Sequence, residues 1–206
     1  MATKVLKKDI CNKCKKQTTY FLIENIDTKL NFENYSLFID FNINRCNNCG
    51  YIAIDLTNCE YEDMCKIVEA PKKEDILNSL KYEIDLTMEY QKNISDKELK
   101  LRCLGKILHL ENKLFNIYYD KILNKDKLVF KNEYYRILKE NAKSIINFID
   151  KNFDFEKLND YFKVLKIESL LFIGEKDKAK EIEINLNLEK DLENYLNDIL
   201  LIGGTN

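Results

Sequence analysis

Four cysteines carry the chemistry of this chain. They lie in two C-x-x-C pairs, Ile10-Cys11-Asn12-Lys13-Cys14 and Arg45-Cys46-Asn47-Asn48-Cys49-Gly50, with 31 residues between the pairs. A thiolate-preferring ion such as Zn²⁺ takes four ligands at the corners of a tetrahedron, and a C-x-x-C turn lets two sulfurs reach one ion from the same side. Gly50, directly after the second pair, suits a tight turn that needs a positive φ. Two such hooks close the shell. No position is left for water or substrate, so the expected role of the metal at Cys11, Cys14, Cys46 and Cys49 is structural, with Zn²⁺ as the expected cofactor. Iron also suits a tetrahedral four-sulfur site. Two disulfides would need an oxidising compartment, which nothing in the sequence signals. A C-x-x-C redox motif would need a βαβ pattern, which is missing around Cys11 and Cys46.

Strands must bring the hooks together. Residues 18–23 (Thr-Thr-Tyr-Phe-Leu-Ile) are β-branched and aromatic and read as a strand. Residues 35–45 follow as a second, in which Leu37, Ile39, Phe41 and Ile43 alternate with mostly polar neighbours. Residues 51–56 give a third, leaving the second hook. Residues 1–10 read as a short basic lead-in. Three strands and two knuckles make a zinc ribbon over 1–58, a unit too small to bury much core by itself. Metal binding supplies the stability that burial cannot.

The rest of the chain reads as helical. It has 206 residues with one proline and five glycines, so long uninterrupted helices are permitted. Hydrophobic residues make up 45% and charged residues 33%, enough apolar content for a core. Helices are expected over 74–91, from the capping box Ser95-Asp96-Lys97-Glu98 to about Leu123, over 128–149, over 155–173, and over 179–186 and 188–202. Asn124-Lys125-Asp126 reads as a stop, and Gly174 as the left-handed residue that closes a helix. The fold class is therefore α+β: a three-stranded ribbon over 1–58, then an all-α domain over 59–206. Cys59 and Cys65, at the junction, fit no ligand spacing and read as ordinary small residues.

Composition narrows the function classes. The net charge of −2 gives no global basic field. No apolar run approaches the ~18 residues of a membrane span. The N-terminus lacks an apolar secretory segment, and a cytoplasmic location is expected. There is no glycine-rich phosphate loop and no histidine–nucleophile pair, so no enzymatic activity is expected. His109, the only histidine, reads as a helix residue, and the aromatics at helical spacing read as core.

Two places carry a resemblance. Leu170-Leu171-Phe172-Ile173-Gly174-Glu175-Lys176-Asp177-Lys178-Ala179 looks like the turn between the helices of a tetratricopeptide repeat, where a glycine closes the first helix and a small alanine lets the second pack closely. The order of parts adds to it: a hook, a β arm, Cys46-Asn47-Asn48-Cys49-Gly50-Tyr51-Ile52-Ala53, the helix at Ser95, then that turn. The chain resembles a family of uncharacterised bacterial proteins with an N-terminal zinc ribbon and a tetratricopeptide-like C-terminal half. Those relatives usually carry proline inside the hooks, where this chain has Asn12-Lys13 and Asn47-Asn48. The resemblance implies the architecture and the metal ligands at Cys11, Cys14, Cys46 and Cys49, and imports no activity. Stacked helical pairs form a concave surface suited to a protein or peptide. A non-enzymatic binding or adaptor module is thus expected, with no membrane partner. The alternative is nucleic-acid binding through the ribbon, using Lys13, Lys15 and Lys16 with Tyr20.

Overall fold

The computed structural model describes residues 3–24, 42–55, 65–69, 71–119, 124–184 and 186. The chain divides into two compact units. One comprises Met1–Asn93 with His109–Ile117, and the other Ile94–Leu108 with Tyr118–Asn206.

In the first unit each C-x-x-C pair is the turn of a hairpin. Strands β1 (Thr3–Ile10) and β2 (Gln17–Glu24) flank the first pair and run antiparallel, with Lys7 opposite Tyr20 and Leu6 opposite Phe21. Strands β3 (Asn42–Arg45) and β4 (Ile52–Asp55) flank the second, with Arg45 opposite Ile52. A further strand, β5 (Cys65–Glu69), pairs antiparallel with the free side of β1. The result is a three-stranded sheet in the order β2-β1-β5 and a separate two-stranded sheet, β3-β4.

Strands expected around 18–23, 35–45 and 51–56 therefore form where they are described, but not as one three-stranded sheet. The basic lead-in is itself a strand, and the central one of its sheet. Its lysines hide a period of two: Val5 and Lys7 are buried, while Lys8 and Ile10 on the other face are exposed. β5 lies beyond residue 58. The first part of the expected 35–45 strand, Cys59 and the helix expected over 188–202 fall outside the described residues.

Helix α1 (Lys73–Gln91) belongs to the same unit and packs on β2 and β3. Leu77, Leu80 and Ile84 are buried along it, with Leu86 and Thr87 beside them. The Asp75 carboxylate accepts the Lys72 N–H at 3.0 Å, a favourable place for negative charge at a helix start. Arg45 of β3 forms an ion pair with Glu89 of α1.

Helix α2 (Lys97–Tyr119) is shared between the two units. Its cap is Asp96, not the expected Ser95: the Leu99 N–H donates to Asp96 Oδ1 at 2.7 Å. Both residues are good caps, but only Asp96 adds a negative charge at the positive end of the helix dipole. Residues 105–111 are all buried, including Lys106, His109 and Glu111. The single histidine is thus a buried helix residue.

The remaining helices belong to the second unit. Helix α3 (Asn124–Asn152) includes the expected stop at Asn124 as its first turn, and buries Tyr134, Leu138, Ala142, Ile145 and Ile149 in a three-and-four rhythm. The stretch from Phe155, expected as one helix, is two segments. Asp154 Oδ1 accepts from the Glu156 N–H and starts a short 3-10 turn over Phe155–Lys157. Asn159 Oδ1 accepts from the Tyr161 N–H at 2.9 Å and starts α4 (Asp160–Ile173). Lys166 of α4 donates to Asp150 of α3 at 2.6 Å, and its ammonium lies 4.8 Å from the centre of the Phe155 ring.

Gly174 ends α4 with φ 89°, as its position in the sequence leads one to expect. The Glu175 N–H donates to the Leu170 carbonyl at 2.9 Å and the Gly174 N–H to that of Leu171 at 3.0 Å, the two bonds of a Schellman turn. Helix α5 (Lys176–Ile184) follows at once, and fully buried Ala179 packs against Ile167 and Leu170 of α4. No helix among the described residues is long and apolar enough to cross a membrane.

The α4–α5 contact makes a direct test. Ala179→Leu adds three carbons at a position with no exposed surface, and overpacking of this kind costs about 1–3 kcal/mol. Lys178→Leu changes the adjacent, mostly exposed side chain. Thermal unfolding should show a clearly lower Tm for Ala179→Leu and little change for Lys178→Leu. Equal, small shifts would contradict the packing described.

Candidate metal centre

The two knuckles are built alike. In the first, the Lys15 N–H donates to the Cys11 carbonyl at 2.8 Å and the Cys11 N–H to the Lys16 carbonyl at 3.0 Å. In the second, the Gly50 N–H donates to the Cys46 carbonyl at 2.9 Å and the Cys46 N–H to the Tyr51 carbonyl at 2.8 Å. Each turn is completed by a residue with positive φ directly after its second cysteine, Lys15 at 58° and Gly50 at 69°. Glycine takes that conformation freely, whereas a side chain meets a steric penalty there. The same backbone device thus appears twice, once with its favoured residue and once without.

The knuckles face each other through their sulfurs. Cys11 Sγ lies 3.7 Å from Cys49 Sγ, and Cys14 Sγ lies 3.7 Å from Cys46 Sγ. All four sulfurs lie within 4.8 Å of one another. A tetrahedral ion with metal–sulfur bonds of about 2.3 Å places its sulfurs about 3.8 Å apart, so these separations fit one ion at the centre. They are far beyond the ~2.05 Å of a disulfide, and all four cysteines are free. The four side chains can therefore hold one metal ion, and a four-sulfur tetrahedron suits iron as well as zinc. The chemistry such an ion supplies is a cross-link between the two hairpins.

Local donors prepare the thiolates. The Cys14 N–H points at Cys11 Sγ at 3.5 Å and the Asn48 N–H at Cys46 Sγ at 3.4 Å. Burial pushes the Cys46 thiol up, but the N–H groups of Asn48 and Cys49 and the thiols of Cys11 and Cys14 outweigh it and bring it to about 6. The Tyr51 N–H pulls Cys49 down, yet desolvation and the three neighbouring thiols prevail and push it up to about 11. Four thiols this close cannot all ionise without a cation among them.

Two asparagines join the knuckles independently of any metal. Asn47 donates from its backbone to Thr18 Oγ1 at 3.2 Å and from Nδ2 to the Thr19 carbonyl at 2.7 Å. Asn48 Nδ2 donates to the Gln17 carbonyl at 2.9 Å. Proline at position 47 would lack both of the donors that asparagine supplies there. Asparagine at this position thus has a physical role that the cysteine spacing alone did not reveal.

Lys13, Lys15 and Lys16 are exposed on the first knuckle, and the Lys13 ammonium lies 5.7 Å from the centre of the Tyr51 ring. Tyr20 is half-buried, on the same face of β2 as buried Thr18, whereas its neighbour Phe21 points outward. Phe21 and Tyr51 are therefore the exposed aromatic rings of this region among the described residues.

Fold and site together define an α+β chain with short antiparallel strands, a helical C-terminal half and a four-cysteine cluster able to hold a metal ion. No family model, curated protein or solved structure matches the chain.

The unequal knuckles predict opposite effects of two substitutions. A Cβ at Gly50 would meet nothing within 4 Å, so Gly50→Ala costs only backbone strain, about 1 kcal/mol. Lys15→Gly removes the same strain and should stabilise the metal-bound form by up to about 1 kcal/mol, less the added chain entropy. Because metal binding is coupled to folding of such a unit, chelator competition at fixed pH should show weaker metal retention for Gly50→Ala and stronger for Lys15→Gly. Changes of the same sign would contradict the matched geometry.

Proposed function

We propose that this chain is a non-enzymatic binding module, in which a structural zinc ion at Cys11, Cys14, Cys46 and Cys49 stabilises a zinc-ribbon-like β unit and the helical half engages a protein or peptide partner. The observation that carries the reading is the four-sulfur cluster. Its geometry uses all four tetrahedral positions and leaves none for a metal-bound water or substrate. Zn²⁺ is the ion for which closed four-cysteine shells serve structure alone. Thiolates held ready for a metal fit a reducing, cytoplasmic setting.

The α4–α5 pair supports a tetratricopeptide-like helical half. Gly174 is left-handed, and Ala179, five residues on, is buried between the helices. At 29 residues α3 is too long to share a unit of about 34 residues with a second helix of similar length. The support is thus for one such hairpin rather than a regular array. Tyr161 on α4 and Ile184 on α5 are large apolar side chains left exposed, and they are the natural anchors for a partner.

Affinity capture from a bacterial lysate tests the proposal, followed by reconstitution of any retained protein from purified components. The full chain and its Phe21→Ala variant should retain the same protein, and Tyr161→Ala should lose it. Direct binding that survives Tyr161→Ala and Ile184→Ser unchanged would contradict a helical binding surface. So would the absence of any direct protein partner.

A further inference from the structure

The three-stranded sheet has one buried and one open face. Alternation along β1 and β2 turns Val5, Lys7 and Thr18 inward, and Lys4, Leu6, Lys8, Ile10, Thr19 and Phe21 to the other side. On that side Phe21 is 57% exposed and Ile10 60%. The Lys4 ammonium lies 5.1 Å from the centre of the Phe21 ring. At the rim of the metal site Tyr51 is 40% exposed, with Lys13 from the opposite knuckle beside its ring. Each exposed ring thus has its own ammonium group.

Charge is segregated toward the same region. The first 24 residues contain six lysines and two acidic residues, in a chain whose net charge is −2. Of those lysines only Lys7 is buried. Of the two acids, Asp9 already accepts the Ile10 N–H at 2.7 Å. Exposed Lys8, Lys13, Lys15 and Lys16 make the first hairpin locally cationic, so the ligand complementary to it is a polyanion. Among polyanions, a single-stranded nucleic acid also offers unpaired planar bases, and exposed aromatic rings flanked by ammonium groups match those bases and their phosphates. An acidic peptide would use the lysines but would give the rings no stacking partner.

We propose that the ribbon binds single-stranded nucleic acid, with bases stacked on Phe21 and Tyr51 and phosphates met by Lys4, Lys8 and Lys13. This surface is distinct from the helical half and does not depend on the partner proposed for it. Lys15 and Lys16, also exposed, extend the cationic surface along the first knuckle.

The test is fluorescence anisotropy of the metal-loaded full chain with labelled oligo-dT, oligo-dA and a duplex, across a salt series. Both single strands should bind with similar affinity and the duplex more weakly. Affinity should fall with salt at a logarithmic slope of roughly −0.7 per phosphate neutralised, near −2 for three lysines. Phe21→Leu and Tyr51→Leu keep apolar bulk but lose the stacking plane, and each should weaken binding about fivefold or more. Lys13→Gln should flatten the salt slope by about 0.7. Metal content and circular dichroism, measured on every variant, separate loss of the surface from loss of the fold. Absence of binding at low salt would overturn the proposal, as would a preference for the duplex. Phe21→Leu and Tyr51→Leu variants that keep their metal and bind like wild type would overturn it too, and competition by an aspartate-rich peptide would then identify the surface as an acidic-peptide site.

Discussion

Four sulfurs drawn to a common point are the constraint on which the N-terminal unit depends. β1-β2 and β3-β4 belong to different sheets, and among the described residues no strand pairing joins them. Helix α1 packs on both β2 and β3, and the turns of the two hairpins meet through the cysteine sulfurs and the hydrogen bonds from Asn47 and Asn48 to residues 17–19. The asparagine bonds orient the knuckles, but they leave the charge problem unsolved. Thiolates at these distances repel one another, and the opposed shifts of Cys46 and Cys49 express that competition. A cation at the centre turns the repulsion into attraction. Such an ion would cross-link the two hairpins.

The helices rest on different physics. α3 and α4 bury long apolar stripes, and α4 turns into α5 through a glycine that satisfies two end carbonyls at once. Packing between α4 and α5 depends on a side chain small enough at Ala179, so close approach rather than charge sets that geometry. The contrast is between a four-cysteine cluster able to hold a metal ion and helices held by buried apolar groups.

The sequence showed most of what depends on short-range chemistry. The cysteine spacing announced the cluster, and Gly50 and Gly174 announced positive φ. Its failures came where two local signals competed. Lysines on both faces of β1 obscured its alternation, because buried Lys7 breaks the usual link between charge and exposure. Ser95 and Asp96 are both acceptable caps, and their electrostatics decided between them. Strand partners were illegible for a different reason: pairing β1 with β5 joins residues about 60 positions apart, and no local pattern encodes such a choice. The sulfur cluster was legible as a ligand set, whereas the asparagine clamp beside it was not, because its acceptors, the Thr18 hydroxyl and the carbonyls of Gln17 and Thr19, belong to another hairpin.

X-ray absorption at the metal edge of the purified chain tests the central claim most directly. A single zinc shell of four sulfurs at about 2.3 Å is the result the closed two-knuckle site predicts. A shell with nitrogen or oxygen ligands, fewer than four sulfurs, or iron in place of zinc would contradict a structural zinc site formed by Cys11, Cys14, Cys46 and Cys49.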